Sequence, residues 1–351
     1  MRAAVLEKPG RIQMKELPDP ECPPGGLLVR VTHAGFCASD LKMWRVGHKD
    51  LRPPRVLGHE LSGFVVESGT DLWPKEPAER VALWPGIPCC SCPACLRRQP
   101  HLCSNIQVMG FHRDGGFGEL VAVPENTLSV GGVRRLPERL TSAVATLGEP
   151  LACCLNAQSK IGVGPGDRVL VFGAGVLGRL HERLARAKGA TRVVLVDTDP
   201  KRADDPKSAI VADPNSEGWM DEVRNRLGGG ADAVIPACSD PVALEWGFSL
   251  LDRGGRIAFF SGLGSRGSFH LPEHDRIHYQ EWLVAGVYGC SPMHFHEALT
   301  LLAEGSIDVS DLLTHSVSLK EMELGFQLME EKRSLKVILT HGGSHDTDLG
   351  D

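Results

Sequence analysis

The tightest constraint in this 351-residue sequence is one glycine pattern together with its flanks. Gly173-Ala174-Gly175-Val176-Leu177-Gly178 fits Gly-x-Gly-x-x-Gly. In a chain with 40 glycines the pattern alone is weak, so its context decides. Arg168-Val169-Leu170-Val171-Phe172 reads as a buried strand. After the loop, Leu177, Leu180 and Leu184 recur at helical spacing, with Arg179, Glu182, Arg183 and Arg186 between them. In such a strand–loop–helix unit the first glycine permits the tight turn and the second lets backbone approach a pyrophosphate. The third lets the helix pack on the strand. The helix N-terminus offers unpaired N–H groups and a partial positive charge to the diphosphate. Gly173, Gly175, Val176, Leu177 and Gly178 are therefore the expected dinucleotide-binding loop.

Asp197 ends the next apolar run, Arg192-Val193-Val194-Leu195-Val196. A carboxylate there binds the ribose hydroxyls and repels a 2′-phosphate, and Thr198 brings no positive charge to relieve it. NAD is expected over NADP. Arg202, in the segment beyond it, is a further expected cofactor contact. That segment is short: twelve residues with Pro200 and Pro206 lead to the next strand at Ile210-Val211, so its helix has one or two turns at most. Further apolar runs at Ala233–Pro236 and Arg256–Phe260 alternate with helical stretches. The pattern predicts an α/β domain over 151–288, a doubly wound parallel sheet covered on both faces.

The flanking regions differ in texture. Residues 1–150 carry short alternating runs such as Leu27–Val31 and Gly63–Glu67 between Gly- and Pro-rich turns, which predicts a β-rich, barrel-like domain. Residues 289–351 return to that mixed texture, with a helix around His296–Leu302 and a late strand at Lys336–Leu339. The tail from Gly342 is expected to fray. A net charge of −6 argues against a nucleic-acid partner. No apolar run is long enough to cross a bilayer, and the first ten residues lack a signal-peptide core. A cytoplasmic protein is expected.

Of eleven cysteines, five crowd between Cys89 and Cys103. Cys89-x2-Cys92-x2-Cys95-x7-Cys103 places four soft ligands on one short lobe, about 86–106, leaving Cys90 as the surplus thiol. In a reducing compartment this predicts a closed, tetrahedral structural zinc site. A second set is dispersed: Cys37, Ser39 and Asp40, then Gly58-His59-Glu60, then Gly148-Glu149-Pro150. Each has a plain structural explanation, and their spacing alone assigns them no function.

Taken in order, Gly58-His59-Glu60, the four-cysteine lobe, Gly115-Gly116-Phe117-Gly118-Glu119, the glycine loop, Gly305-Ser306-Ile307-Asp308 and Lys336-Val337 resemble the zinc-containing medium-chain alcohol dehydrogenases. The resemblance spans nearly the whole chain. Within the family, Ser39 and Glu149-Pro150-Leu151 resemble the sorbitol, threonine and butanediol dehydrogenase branch. It implies a GroES-like β-rich catalytic domain, split in sequence around a Rossmann domain. It also implies a catalytic zinc held by Cys37 and His59 with Glu60 or Glu149, Cys153 being a further thiolate alternative. Ser39 would carry the alcohol proton.

Two departures bear on substrate. Lys42 stands where many relatives place a relay histidine, and Gly289 where sorbitol dehydrogenases have an arginine. The expected function is NAD-linked oxidation of a secondary alcohol on a polyol, amino alcohol, diol or cyclitol, or the reverse, with Ser39, Lys42 and Glu149 as catalytic residues. The open position of the zinc would act as a Lewis acid on the substrate oxygen. Ser39, Met43, Trp44, His48, Phe111 and Glu149 are the pocket candidates. A homodimer or homotetramer acting on a small polar alcohol or ketone is expected. The rival readings are a zinc-free quinone or enoyl reductase on the same fold and a non-catalytic NAD(H)-binding protein.

Overall fold

The computed structural model describes residues 1–71, 73, 79–199, 202, 211–263 and 274–342. Contacts divide the chain into two units, Met1–Ala152 with Cys290–Asp351, and Cys153–Gly289. The expected short crossover helix between Asp199 and Val211 and the expected fraying tail after Gly342 lie outside the described residues, apart from Arg202.

The second unit is built on six parallel strands. In spatial order they are Val211–Ala212, Arg192–Val196, Arg168–Phe172, Ala231–Pro236, Leu251–Phe259 and Leu283–Gly286. Numbered along the chain this is 3-2-1-4-5-6, the doubly wound dinucleotide-binding order. The continuous apolar runs arise because the central strands are covered on both faces: Val169, Leu170 and Val171 are fully buried. The edge strand Leu283–Gly286 leaves little signal in the sequence. Four residues with two exposed give neither a continuous apolar run nor a long alternation.

The helix after the glycine loop, Val176–Ala187, packs through Leu180 and Leu184 as its spacing predicted. Its polar residues do not all face water. Arg179, His181 and Glu182 are buried, and the two charged ones are satisfied locally. Arg179 Nε donates to Ala174 O at 3.0 Å and Nη2 to Arg202 O at 3.4 Å, while Arg186 Nε donates to Glu182 Oε1 at 3.2 Å. A charged group without such partners would be excluded from this layer.

The first unit contains a seven-stranded sheet, with Val133–Arg135, Arg80–Leu83, Glu60–Ser68, Leu27–Gly35, Lys336–Thr340 and Leu313–Val317 in spatial order, and Leu120–Val123 also on Leu27–Gly35. Its core includes Val29, Val31, Leu61, Phe117, Phe326 and Leu339. The register of three neighbouring strands brings distant parts of the chain together. Gly35 pairs with Glu60 on one side and with Ile338 on the other. The end of the Leu27–Gly35 strand, the start of Glu60–Ser68 and the start of Lys336–Thr340 therefore meet at one level, just before Cys37. Among the described residues no helix is long and apolar enough to cross a membrane.

Candidate metal and cofactor sites

Cys37 is the N-cap of the helix Ala38–Val46, and Asp40 occupies the third helical position. Asp40 is fully buried, and each carboxylate oxygen is used. Oδ2 accepts from Cys37 N at 3.0 Å, and Oδ1 lies 3.4 Å from both Gly58 N and His59 Nδ1. The carboxylate thus ties the helix start to the turn that carries His59. With Nδ1 turned to Asp40, the other ring nitrogen, Nε2, is 3.5 Å from Ser39 Oγ. Burial disfavours charge on His59, but Asp40 and Cys37 outweigh it and hold the imidazole well above its ordinary pKa. Phe111 lies edge-on to His59, centroids 5.3 Å apart.

Glu60 completes a compact set. Ligand atoms of Cys37, His59 and Glu60 all lie within 4.8 Å of one another, and both His59 and Glu60 are buried. Donors bound tetrahedrally at about 2.0–2.3 Å stand roughly 3.3–3.8 Å apart, so the set fits zinc with small adjustment. The chemistry agrees: a thiol, an imidazole and a carboxylate share a buried space that a divalent cation would neutralise. Lys336 Nζ bonds Glu60 Oε2 and also donates to Phe36 O at 3.0 Å. A side chain on Gly35 would collide with both partners of this ion pair. Burial pushes the Glu60 carboxyl up and Glu149 adds to it, against the pull of Lys336 and His59. Glu149, in the first turn of the helix Gly148–Lys160, therefore lies close enough for its charge to be felt at Glu60. Cys290 Sγ is 4.0 Å from Glu149 Oε1.

Sequence reasoning does not single out Asp40 or Lys336 for these bracing roles. The available signals are an acid three residues after the candidate thiolate and a lysine opening an apolar strand. Among the pocket candidates, Met43 is fully buried in the core, and Trp44 stacks on Phe326 at 5.1 Å. Lys42 is exposed and lines a cleft with Val46, His48 and Lys49.

The lobe gathers its four sulfurs as the spacing predicted: Cys89, Cys92, Cys95 and Cys103 lie within 4.8 Å of one another. Backbone N–H groups already point at them. Cys92 N donates to Cys89 Sγ at 3.3 Å, and Cys103 Sγ accepts from Cys89 N at 3.3 Å and Asn105 N at 3.4 Å. Hydrogen bonds from the Cys95 and Ser104 backbone lower the Cys92 thiol to about 5, while burial and neighbouring thiols push Cys95 up to about 12. Four sulfurs packed this closely fit a cation that takes all four as thiolates. Cys90 is turned away, within 3.8 Å of Pro88 O, Asn126 O and Ser129 Oγ, which explains the register through Cys89.

In the second unit, Gly175 is the N-cap of the Val176–Ala187 helix, and a side chain on Gly178 would collide with Gly173 O. Asp197 Oδ2 accepts from Ala174 N at 2.6 Å, holding the carboxylate against the loop. Arg202 corrects one step in the expectation of NAD. Its guanidinium lies 3.1 Å from Asp197 and 3.8 Å from Asp199, so Asp197 is not an unrelieved negative charge.

Comparison with known proteins places these sites in context. Residues 23–131 match the alcohol dehydrogenase GroES-like domain and residues 177–304 the zinc-binding dehydrogenase domain. The chain is 31% identical over 320 residues to L-galactonate-5-dehydrogenase of Escherichia coli K12, covering 90% of this chain and 91% of that one. It is 28% identical over 348 residues to L-threonine 3-dehydrogenase of Rhizobium etli CFN 42, covering 97% and 98%. A zinc-binding dehydrogenase structure from Sinorhizobium meliloti 1021, solved with NADP, superposes with a TM-score of 0.88 at 29% identity, covering 97% and 98%. The split β-rich unit, the 3-2-1-4-5-6 sheet and full-length relatives of this kind agree: the chain is an oxidoreductase of the zinc-containing medium-chain alcohol dehydrogenase family, in its sorbitol and threonine dehydrogenase-like branch.

Proposed function

We propose that the protein oxidises a secondary alcohol on a small, hydroxyl-bearing molecule to the ketone with NAD, or catalyses the reverse. The observation that carries this reading is the Cys37–His59–Glu60 donor set, with His59 and Glu60 buried, Asp40 at one imidazole nitrogen and the Ser39 hydroxyl at the other. Zinc held by these residues supplies Lewis acidity toward the substrate oxygen. The nicotinamide supplies the hydride acceptor. Ser39 takes the hydroxyl proton and passes it outward, with Lys42 one helical turn away tuning that path. Asp40 keeps His59 in one tautomer and orientation, as carboxylates behind metal-binding histidines do. Lys336 and burial fix Glu60, so Glu149 would be the carboxylate free to give way to water or substrate. Cys89, Cys92, Cys95 and Cys103 would hold a second, structural zinc.

NAD remains the preferred cofactor because Asp197 sits against the glycine loop, and the Arg202 charge is already shared between Asp197 and Asp199. The Sinorhizobium relative was solved with NADP, so the comparison of kcat/KM for the two cofactors is informative, and a preference for NADP would overturn this assignment. The donor set disfavours a zinc-free reductase. A homodimer or homotetramer is supported by the short edge strand Leu283–Gly286, with Leu283 exposed and Tyr288 exposed just beyond it. Light scattering tests it. Eleven cysteines, four of them gathered as a ligand set, suit a cytoplasmic setting.

The deciding experiment follows NAD reduction over polyols, amino alcohols and diols while zinc is counted per subunit. Two zinc ions and turnover of a secondary alcohol are expected. A protein with its full zinc complement and no turnover across the panel would refute the reading.

A further inference from the structure

We propose that the substrate carries an anionic group, a carboxylate or phosphate several carbons from the reacting carbinol, read by Lys42 and Lys49. The inference rests on the proposed dehydrogenase activity and adds the class of substrate. It starts from a cleft of about 640 Å³ in the first unit, lined by Pro9, Lys42, Val46, His48, Lys49 and Leu51 among others. That volume falls within the range of small-molecule sites.

Two independent connections tie the cleft to the ligand set. Ser39, Lys42 and Val46 are three and four residues apart on the helix Ala38–Val46, and so share one face. Ser39 marks the His59 end of that face, and Lys42 and Val46 mark the cleft end. On the other side, Phe111 is edge-on to His59 at 5.3 Å and to His48, a cleft residue, at 5.7 Å. A molecule whose carbinol lies at Ser39 and which follows this helix face would reach a cleft with two ammonium groups.

The charges of this stretch are unbalanced within an acidic chain. Between Leu41 and Arg55 stand Lys42, Arg45, Lys49, Arg52 and Arg55 against the single acid Asp50. Arg45 is paired with Glu330 and Arg55 with Asp114. Among the described residues Arg52 bonds only backbone carbonyls, those of Lys49 and Leu51. Asp50 is turned to His48, at 3.6 Å. Lys42 and Lys49 have no ion-pair partner among the described residues, and both are exposed at the cleft. His48 Nδ1 accepts from Asp50 N at 3.2 Å, so even the neutral ring carries its proton on Nε2 and remains a donor. Pro9, Val46, Leu51 and Pro53 supply apolar wall for a carbon chain. One helical turn, about 5 Å, plus the lysine arm separates Ser39 from the cations. That spacing places the anion at the far end of a polyol rather than beside the reacting carbon.

The test uses matched triplets: a hexitol, its aldonate and its terminal phosphate, in gluco and galacto configurations, with the zinc-replete protein and NAD. The anions should show about tenfold higher kcat/KM than the hexitol, expressed mainly in KM. The gap should close between roughly 20 and 500 mM NaCl, because exposed charges are screened. Lys49 is the residue to vary, since Lys42 also stands beside the proton path. Lys49→Glu should abolish or invert the ratio of anionic to neutral kcat/KM, and Lys49→Arg should restore it. Whether aldonate or phosphate leads identifies the source of the anion. Hexitol turnover with no anion advantage, or a ratio indifferent to Lys49→Glu, overturns the inference and leaves the dehydrogenase reading intact. If no member of the panel reduces NAD, the polyol reading fails. Calorimetry then decides the inference alone, and equal Kd values for gluconate and glucitol overturn it.

Discussion

The two ligand sets of the first unit are built on opposite principles. The lobe draws four sulfurs from fifteen consecutive residues, and its own turns aim backbone N–H groups at them. The Cys37–His59–Glu60 set draws on a helix start, a turn and the first residue of the strand after it. It is held from behind by Asp40 and Lys336, the latter 276 residues from Glu60. The lobe is half-exposed, so a metal held by its four sulfurs would act as its core. The dispersed set lies beside the packed core of the seven-stranded sheet, so on the proposed function an ion held there would be free to serve chemistry. On the proposed function, the local set would serve folding and the set assembled by long-range contacts would serve catalysis.

The comparison breaks most sharply under exchange of single ligands. Cys37→Ala should lose one zinc and lower kcat by at least about a thousandfold, the several kcal/mol that Lewis acidity supplies. Its Tm should stay close to that of the parent. A variant that keeps both zinc ions would remove Cys37 from the site.

Cys95→Ser should behave in the opposite way. It should also lose one zinc but lower Tm on the order of 10 °C, because the binding energy of a closed site is folding energy. Unchanged melting together with unchanged zinc content would show that the lobe is not a metal site.

Glu149→Ala sharpens the contrast within the dispersed set. If Lys336 fixes Glu60 and Glu149 is the exchanging carboxylate, kcat should fall about a hundredfold with zinc retained. Full activity in this variant would exclude Glu149.

A smaller effect concerns protons. In the zinc-free protein the charged His59 ring is stabilised by Asp40 and Cys37 despite burial. That stabilisation is fully present below about pH 6.5 and is lost as pH rises through the elevated folded value. Zinc needs the neutral ring, so its affinity should fall about tenfold per pH unit, per proton displaced, below that folded value. Asp40→Asn should lower the midpoint and weaken zinc by roughly ten- to a hundredfold. Chelator competition across pH measures both, and a flat profile would contradict the role given to Asp40.

The smallest effect is expected at Lys42. Lys42→Ala should shift the pH–rate profile by a few tenths of a unit to about one unit, with zinc content unaltered. An unshifted profile would confine Lys42 to the cleft.

Much of the architecture is legible in the sequence because its signals are local. Continuous apolar strands, a helix with leucines at three- and four-residue spacing, and glycines at fixed offsets each reflect a constraint acting within a few residues. The same locality explains where the sequence misleads. Arg179 and Glu182 read as a solvated helix face, because spacing does not reveal that Ala174 O, Arg202 O and Arg186 lie ready to receive them. Asp197 reads as a lone carboxylate, because Arg202 reaches it only once the chain turns back.

The sequence by itself determined the dinucleotide loop, the four-sulfur lobe and the division into a β-rich and an α/β part. In each case the physical cause is short-range: turn geometry, ligand spacing or the period of burial. Tertiary structure alone decided that Gly35, Glu60 and Lys336 share one level of a sheet, that the Asp40 carboxylate lies beside His59 Nδ1, and that two lysines without an ion-pair partner among the described residues border one cleft. Those relations depend on strand register and on which charges find partners across long separations, and chain spacing does not encode them locally.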